Sequence, residues 1–250
     1  MGIINKIMAT VGIGNVSVDT IIENPSVCAG EEVRGSITVK GGIAPQKIDE
    51  IYLYLMTKVD KESNNIKFVG KEKVQKVILP VNRTIASGDN ISIPFSFTLN
   101  KQTPFTTLKT PVWVHTGLDI KSALDPKDND SLIICAGTYL QAVLNAFQRL
   151  ELVIYKVENI ENFYYSTMPF LQQIEFRPTG SLKYDINYLK MVYVHHDTNL
   201  ELIMDVGNVY EGVDLEDKKI ILHLKFEDLK NKDPYELSRL IKTEIFRTDK

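Results

Sequence analysis

A two-residue alternation of apolar and polar side chains recurs along most of this chain and constrains its fold more than any other feature. It is clearest in Ile91-Ser-Ile-Pro-Phe-Ser-Phe-Thr-Leu99, where Ile91, Ile93, Phe95, Phe97 and Leu99 share one face. Successive side chains of a strand point to opposite faces, so such a run buries one face and wets the other. Pro94 sits inside it and cannot donate to a ladder, which predicts an edge strand or a bulge. The same period appears in Val33, Gly35, Ile37 and Val39, and in Ile51, Leu53, Leu55, Thr57 and Val59. It returns over 112–121, with Val114, Thr116, Leu118 and Ile120 on one face and Trp113, His115, Asp119 and Lys121 on the other.

The alternation stops once. Asp125-Pro-Lys-Asp-Asn-Asp130 is the most turn-rich stretch in the chain. A short strand over 131–135 and a helix over 138–149 follow, the helix carrying Leu140, Val143, Leu144 and Phe147 at helical spacing. The two-residue period then resumes in Leu150, Leu152 and Ile154, in Ile174 and Phe176, and from Leu182 and Tyr184 towards Val194, where it slips and a bulge or turn is expected. Leu200 to Val206 and Ile220, Leu222, Leu224 and Phe226 complete it. Asp233, Pro234 and Glu236 form the start signal of a C-terminal helix with Leu237, Leu240 and Ile241 as its stripe. Ile3, Ile4, Ile7 and Met8 fall at helical spacing at the start. The pattern predicts an all-β chain of two β-sandwich domains, 1–136 and 137–250, with a short N-terminal helix, a helix between the domains and a C-terminal helix.

Charge narrows the function classes. The net charge of −3 does not favour nucleic acid, and no stretch of about 18 apolar residues predicts an integral membrane segment. No signal peptide precedes the first strand, which points to a cytoplasmic protein. Cys28 and Cys135 then read as reduced, buried thiols, with a single disulfide as the alternative.

No motif predicts catalytic residues, a cofactor or a metal. His195 and His196 are adjacent on a strand and face opposite ways, and His115 has no nucleophile motif beside it. Asp125, Asp128 and Asp130 lack the glycine and terminal glutamate of a calcium loop. With Asp119 they are read as hinge or interface residues, whose carboxylates accept backbone N–H bonds or cap turns. Gly12 and Gly14 precede a strand, whereas phosphate loops lead into a helix. The stripe Ile3, Ile4, Ile7 and Met8 is expected to dock on the sandwich; with Lys6 as its one cation, attraction to anionic lipid is weak.

Three segments carry a family resemblance. They are Met8-Ala-Thr-Val-Gly-Ile-Gly14 with Val18-Asp-Thr20; Gly30-Glu-Glu-Val-Arg-Gly-Ser-Ile-Thr-Val-Lys-Gly-Gly42; and Thr116-Gly-Leu-Asp-Ile-Lys-Ser-Ala-Leu-Asp-Pro-Lys-Asp-Asn-Asp130. In order and spacing the chain resembles the SpoOM family of sporulation-control proteins over nearly its whole length. The resemblance implies two tandem arrestin-like sandwiches and a non-catalytic, cytoplasmic regulatory adaptor, acting on protein partners of a sporulation or stress pathway. Homodimerisation is left open. Two alternatives stand beside it: a membrane-peripheral scaffold anchored by the N-terminal helix, and a ligand-binding module with Tyr52, Tyr54 and Trp113 as an aromatic platform.

Overall fold

The structure is a computed structural model that describes residues 16–120, 126–162, 169–210, 213–214 and 217–247. The expected N-terminal helix residues Ile3, Ile4, Ile7 and Met8, and also Asp125, lie outside the described residues. The chain forms two compact units. One comprises Met1–Thr57, Lys71–Asn100 and Pro111–Ile134; the other comprises Lys58–Gly70, Lys101–Thr110 and Cys135–Lys250.

The first unit is built from β1 (Ser17–Ile22), β2 (Ser26–Cys28), β3 (Glu32–Lys40), β4 (Gln46–Ser63) as far as Thr57, β5 (Ile66–Ile85) from Lys71 on, β6 (Asn90–Thr98), β7 (Val112–Ile120) and β8 (Lys127–Cys135) as far as Ile134. One sheet has the order β1-β3-β6. The other runs β4-β7-β8-β2, with β5 on the remaining side of β4. Their inner faces share one core, in which Val33, Ile37 and Val39 of β3 meet Ile51, Leu53 and Leu55 of β4 and Val114 and Leu118 of β7. β6, the strand with Pro94, is an edge strand. Gly35 lies opposite Phe95 on β6, and a Cβ there would stand 2.7 Å from the Phe95 ring and 2.3 Å from the Ile21 carbonyl oxygen. The glycine in this otherwise Val/Ile-rich strand makes room for the ring.

Two expectations about this unit change. The stretch 127–130 is strand, because β7 offers its edge and Gly117, Thr116, His115 and Val114 pair with Lys127, Asp128, Asn129 and Asp130. Cys28 and Cys135 are disulfide-bonded rather than reduced, and neither is fully buried. Pairing of β2 with β8, through bonds such as Ile133 N–H to the Pro25 carbonyl at 2.8 Å, brings the two cysteines together.

The second unit continues with α1 (Thr138–Arg149), β9 (Leu152–Glu161), β10 (Phe170–Pro178), a 3-10 turn (Ser181–Tyr184), β11 (Ile186–His195), β12 (Asn199–Tyr210), β13 (Val213–Asp214), β14 (Lys218–Lys225), α2 (Phe226–Asn231) and α3 (Pro234–Ile245). Its antiparallel sheet has the order β14-β12-β11-β10-β9, with β13 also on β12. The layer over its main buried face is helical. Leu140, Val143 and Phe147 of α1, Leu229 of α2, and Leu237, Ile241 and Ile245 of α3 pack onto Ile174, Phe176, Leu189, Met191, Leu202 and Met204. Asp233 caps α3 by accepting the Tyr235 N–H at 2.8 Å.

Sequence alternation misplaces five residues here, among them Leu150, the C-cap of α1, and Leu182, which lies in the 3-10 turn. Tyr184 belongs to the 3-10 turn, not to β11. Ile154 is 49% exposed, next to a bulge at Tyr155 that shifts the β9–β10 register between Glu175 and Phe176. Phe226 begins α2 instead of extending β14. The slip before Val194 has a packing cause. Met191 and Tyr193 enter the main core, while Val192 and Val194 pack with Leu171 on the other face, so both faces of β11 are apolar.

The loop 101–110 is held in the second unit by two amide side chains. Gln172, 2% exposed, accepts from Phe105 N–H at 3.0 Å and from the Tyr193 hydroxyl at 2.9 Å, and donates to the Phe105 carbonyl at 2.9 Å and to Thr110 Oγ1 at 3.3 Å. Gln102 donates to the Tyr193 carbonyl at 2.8 Å and accepts the His195 N–H at 2.9 Å, so its amide imitates a strand neighbour of β11. Gln172→Leu keeps the volume but strands several buried partners, each costing roughly 1–3 kcal/mol. The variant is expected to lose about 3 kcal/mol in urea denaturation; a loss under about 1 kcal/mol would show that the loop does not depend on this amide.

Candidate functional site

Alternation sends every second residue of β4, β7 and β8 away from the first core. On β4 these are Tyr52, Tyr54 and Met56; their partners on β7 are Gly117, His115 and Trp113. The next neighbours on β8 are Lys127, Asn129 and Ser131. Tyr52, Tyr54, Trp113 and His115 are each half-buried, so the outer face of this sheet is an aromatic surface. The Tyr52 and Tyr54 ring centroids lie 5.5 Å apart, and Tyr54 stacks on His115 at 6.4 Å and 20°. His115 Nδ1 is hydrogen-bonded to Asn129 Oδ1 at 2.9 Å, which orients the ring. Gly117 makes room for Tyr52, since a Cβ there would meet the ring at 2.8 Å.

β5 adds cations over these rings. Lys73 Nζ stands 4.9 Å from the Tyr54 centroid, and Lys76 Nζ stands 5.7 Å from Tyr54 and 5.9 Å from Tyr52. Lys71 Nζ lies 5.9 Å from Trp113. A cation over an aromatic face is attracted by the ring quadrupole, while its long stem covers apolar surface and leaves the ammonium in water. All three lysines are exposed. The result is a positively charged, aromatic-floored surface that can receive an acidic group.

The structure brings together Tyr52, Tyr54 and Trp113, the platform candidates, and joins His115 to them. Lys71, Lys73 and Lys76 escaped the sequence reading because β5 itself did. The strand carries no clean alternation, since Phe68-Val69, Lys71-Glu72-Lys73, Gln75-Lys76 and Val77-Ile78-Leu79 each repeat one class; its local signal was the Asn64-Asn65 turn before it.

The aspartates sit elsewhere. Asp119 is exposed on β7, facing away from the core. Asp128 and Asp130 lie on β8 opposite Thr116 and Val114, on the core side. Asp128 Oδ2 accepts the Thr20 N–H from the other sheet at 2.7 Å, and beside it the Thr20 and Thr116 hydroxyls share a buried 2.7 Å hydrogen bond. Asp128 therefore accepts a backbone N–H bond, joining the two sheets within the first unit. Among the described residues no three His, Cys, Asp or Glu side chains are placed to hold a metal ion, and no helix is long and apolar enough to cross a membrane.

In the second unit the two adjacent histidines part company. β11 ends at His195; His196 lies beyond it and pairs with Glu201 at 2.6 Å. The His195 ring stands among Tyr193 at 6.0 Å, Phe226 at 6.2 Å and Tyr139 at 6.5 Å. Its Nδ1 is buried without a hydrogen-bond partner among the described residues. Burial first, then the charges of Lys101 and His196, push its pKa down to about 4.

Two measurements follow from these geometries. A hydrogen bond to a charged group contributes roughly 1.5–3 kcal/mol. Asp128→Ala should thus cost about 2 kcal/mol in denaturant unfolding, and Asp128→Asn, which keeps an acceptor oxygen, less than half of that. Equal losses would mean that the accepted bond is not the cause. For His195 the folded pKa lies below the unfolded value near 6.5, so the unfolded chain gains a proton first as pH falls. Stability is lost between about pH 6.5 and about pH 4, roughly 2 kcal/mol of it from this ring by about pH 5. His195→Phe should flatten that part of the stability–pH curve, and an unchanged slope would refute the assignment.

The chain matches the family model described as SpoOM protein over residues 4–208. It is 32% identical over 220 residues to the sporulation-control protein Spo0M of Bacillus subtilis (strain 168), covering 85% of this chain and 83% of the relative. The crystal structure of Spo0M from Bacillus subtilis superposes with a TM-score of 0.81 at 27% identity, over 92% of this chain and 97% of that one. By the extent of the sequence match and by its fold, this chain belongs to the SpoOM family.

Proposed function

We propose that this protein is a non-catalytic regulator of sporulation control that works in the cytoplasm by docking protein partners of that pathway. Family membership supports the pathway, and the lysine-covered aromatic face of the first unit carries the docking reading. Aromatic residues are enriched in protein interfaces, and a positive patch steers an acidic partner into register. The patch runs against the net charge of −3, so its sign is local to this face. The arrestin-like description fits the same reading, as does an adaptor role without bound cofactor. Disulfides are rare in reducing compartments, so the Cys28–Cys135 bond makes this chain an exception among cytoplasmic proteins under this reading.

The test replaces the Bacillus subtilis relative with this chain and counts heat-resistant spores. The wild-type chain is expected to restore the count, and a Lys71→Glu, Lys73→Glu, Lys76→Glu variant of equal abundance and unchanged circular dichroism is expected to fail. Full restoration by the variant would remove the face from the function. Failure of the wild-type chain would count against the sporulation role itself.

A further inference from the structure

We infer that the edge of β5 between Lys71 and Leu79 receives an extended, acidic protein segment as an added strand; this rests on the docking reading of the adjacent face and specifies how the partner binds. Among the described residues β5 pairs with β4 alone. A strand with one neighbour carries a row of N–H and C=O groups on its other side, and such a row is a template for another chain. Pro80, which a central strand would exclude, bounds the stretch.

The two faces of this stretch specify the occupant. On the core side Val74, Val77 and Leu79 pack against the first core yet stay half-buried. A strand laid alongside would cover them with its own inward, apolar residues. On the outer side stand Lys71, Lys73 and Lys76, all exposed, with Ile78 45% exposed. Cross-strand neighbours of opposite charge attract and like charges repel, so the added strand carries Asp or Glu at its outward positions. The stretch 71–79 holds three lysines and one acid, Glu72, in a chain whose net charge is −3. Gln75 steadies the strand by donating to the Thr98 carbonyl and accepting the Asn100 N–H, both at 2.9 Å. The acceptor is thus built before the partner arrives, which lowers the ordering cost of binding. Three lysines over six residues make a short cationic track for nucleic acid, whereas the edge, with lysines on its outer side and Val74, Val77 and Leu79 on its inner side across a change of phase at Val74-Gln75, matches a strand.

The probe is a synthetic peptide of about ten residues, alternating Glu and Val with blocked ends, long enough to span the stretch. It is titrated into the full chain by fluorescence anisotropy, and amide exchange is read by mass spectrometry. Binding is expected to slow exchange in 71–79. Methylating alternate peptide amides, which removes the laddering donors, is expected to weaken binding at least about tenfold, as is the triple Lys→Glu variant. The single Lys73→Gln variant, which keeps a stem over Tyr54, serves if the triple variant is unstable and should weaken binding in the same direction. Absence of peptide binding would overturn the inference, as would tighter protection of the same amides by a polythymidine oligonucleotide. Equal binding of the methylated peptide would also overturn it while leaving the docking face intact. Full spore restoration by the triple variant instead defeats the docking reading itself.

Discussion

The register of β4 against β7 is the constraint on which the first unit depends. Ile51, Leu53 and Leu55 face the core only because they pair with Leu118, Thr116 and Val114 in that phase. A one-residue slip would exchange them for Tyr52, Tyr54 and Met56, since strand side chains alternate with period two. Large phenol rings would then crowd a core that packs against β3 at close density. The register shift between Ile48 and Ile51 lets the start of β4 keep Ile48 inside as well. The same phase creates the aromatic outer face, so the core and the candidate docking surface are two consequences of one pairing. Gly117 supports it by leaving space for the Tyr52 ring that lies across from it.

Polar groups inside the units are few, and each joins pieces that apolar packing alone would leave loosely specified. Apolar contact is non-directional, whereas a buried donor without an acceptor costs free energy and so selects one arrangement. In the first unit Thr20, Thr116 and Asp128 bind one sheet to the other. In the second, Gln172 and Gln102 fasten the loop 101–110 to β10 and β11. An amide suits that task, because it offers an acceptor and a donor side by side, as a neighbouring strand would. β5 shows the converse. Its backbone has one partner strand, and lysines line its outer side, a common way of discouraging indiscriminate pairing at an edge. A lysine-lined edge still admits a strand of the opposite charge.

Local patterning accounts for the extended character of the chain, the inward residues of β3, β4, β6, β7 and β12, the helices α1 and α3, and the restriction of Pro94 to an edge or a bulge. Each of these is a local property: a period of two or 3.6, a missing N–H at Pro94, a cap at Asp233. Family membership was legible in the same way, through segments such as Gly30 to Gly42. Residues whose fate depends on a distant neighbour were decided only by the tertiary structure. Asp128 reads as a turn residue until β7 supplies an edge for it to pair with. Cys28 and Cys135 read as separate thiols until β2 joins β8. The strand β5 went unread although Asn64 and Asn65, both at positive φ, form the two-residue turn that a tight hairpin uses. Its polar and apolar residues are equal in number and fall in short runs of one class, so no two-residue period marks it. Tyr52, Tyr54 and Trp113 were recognisable as platform candidates from their strand face. That three lysines from β5 stand over them is a matter of sheet order, which alternation along a single strand does not encode.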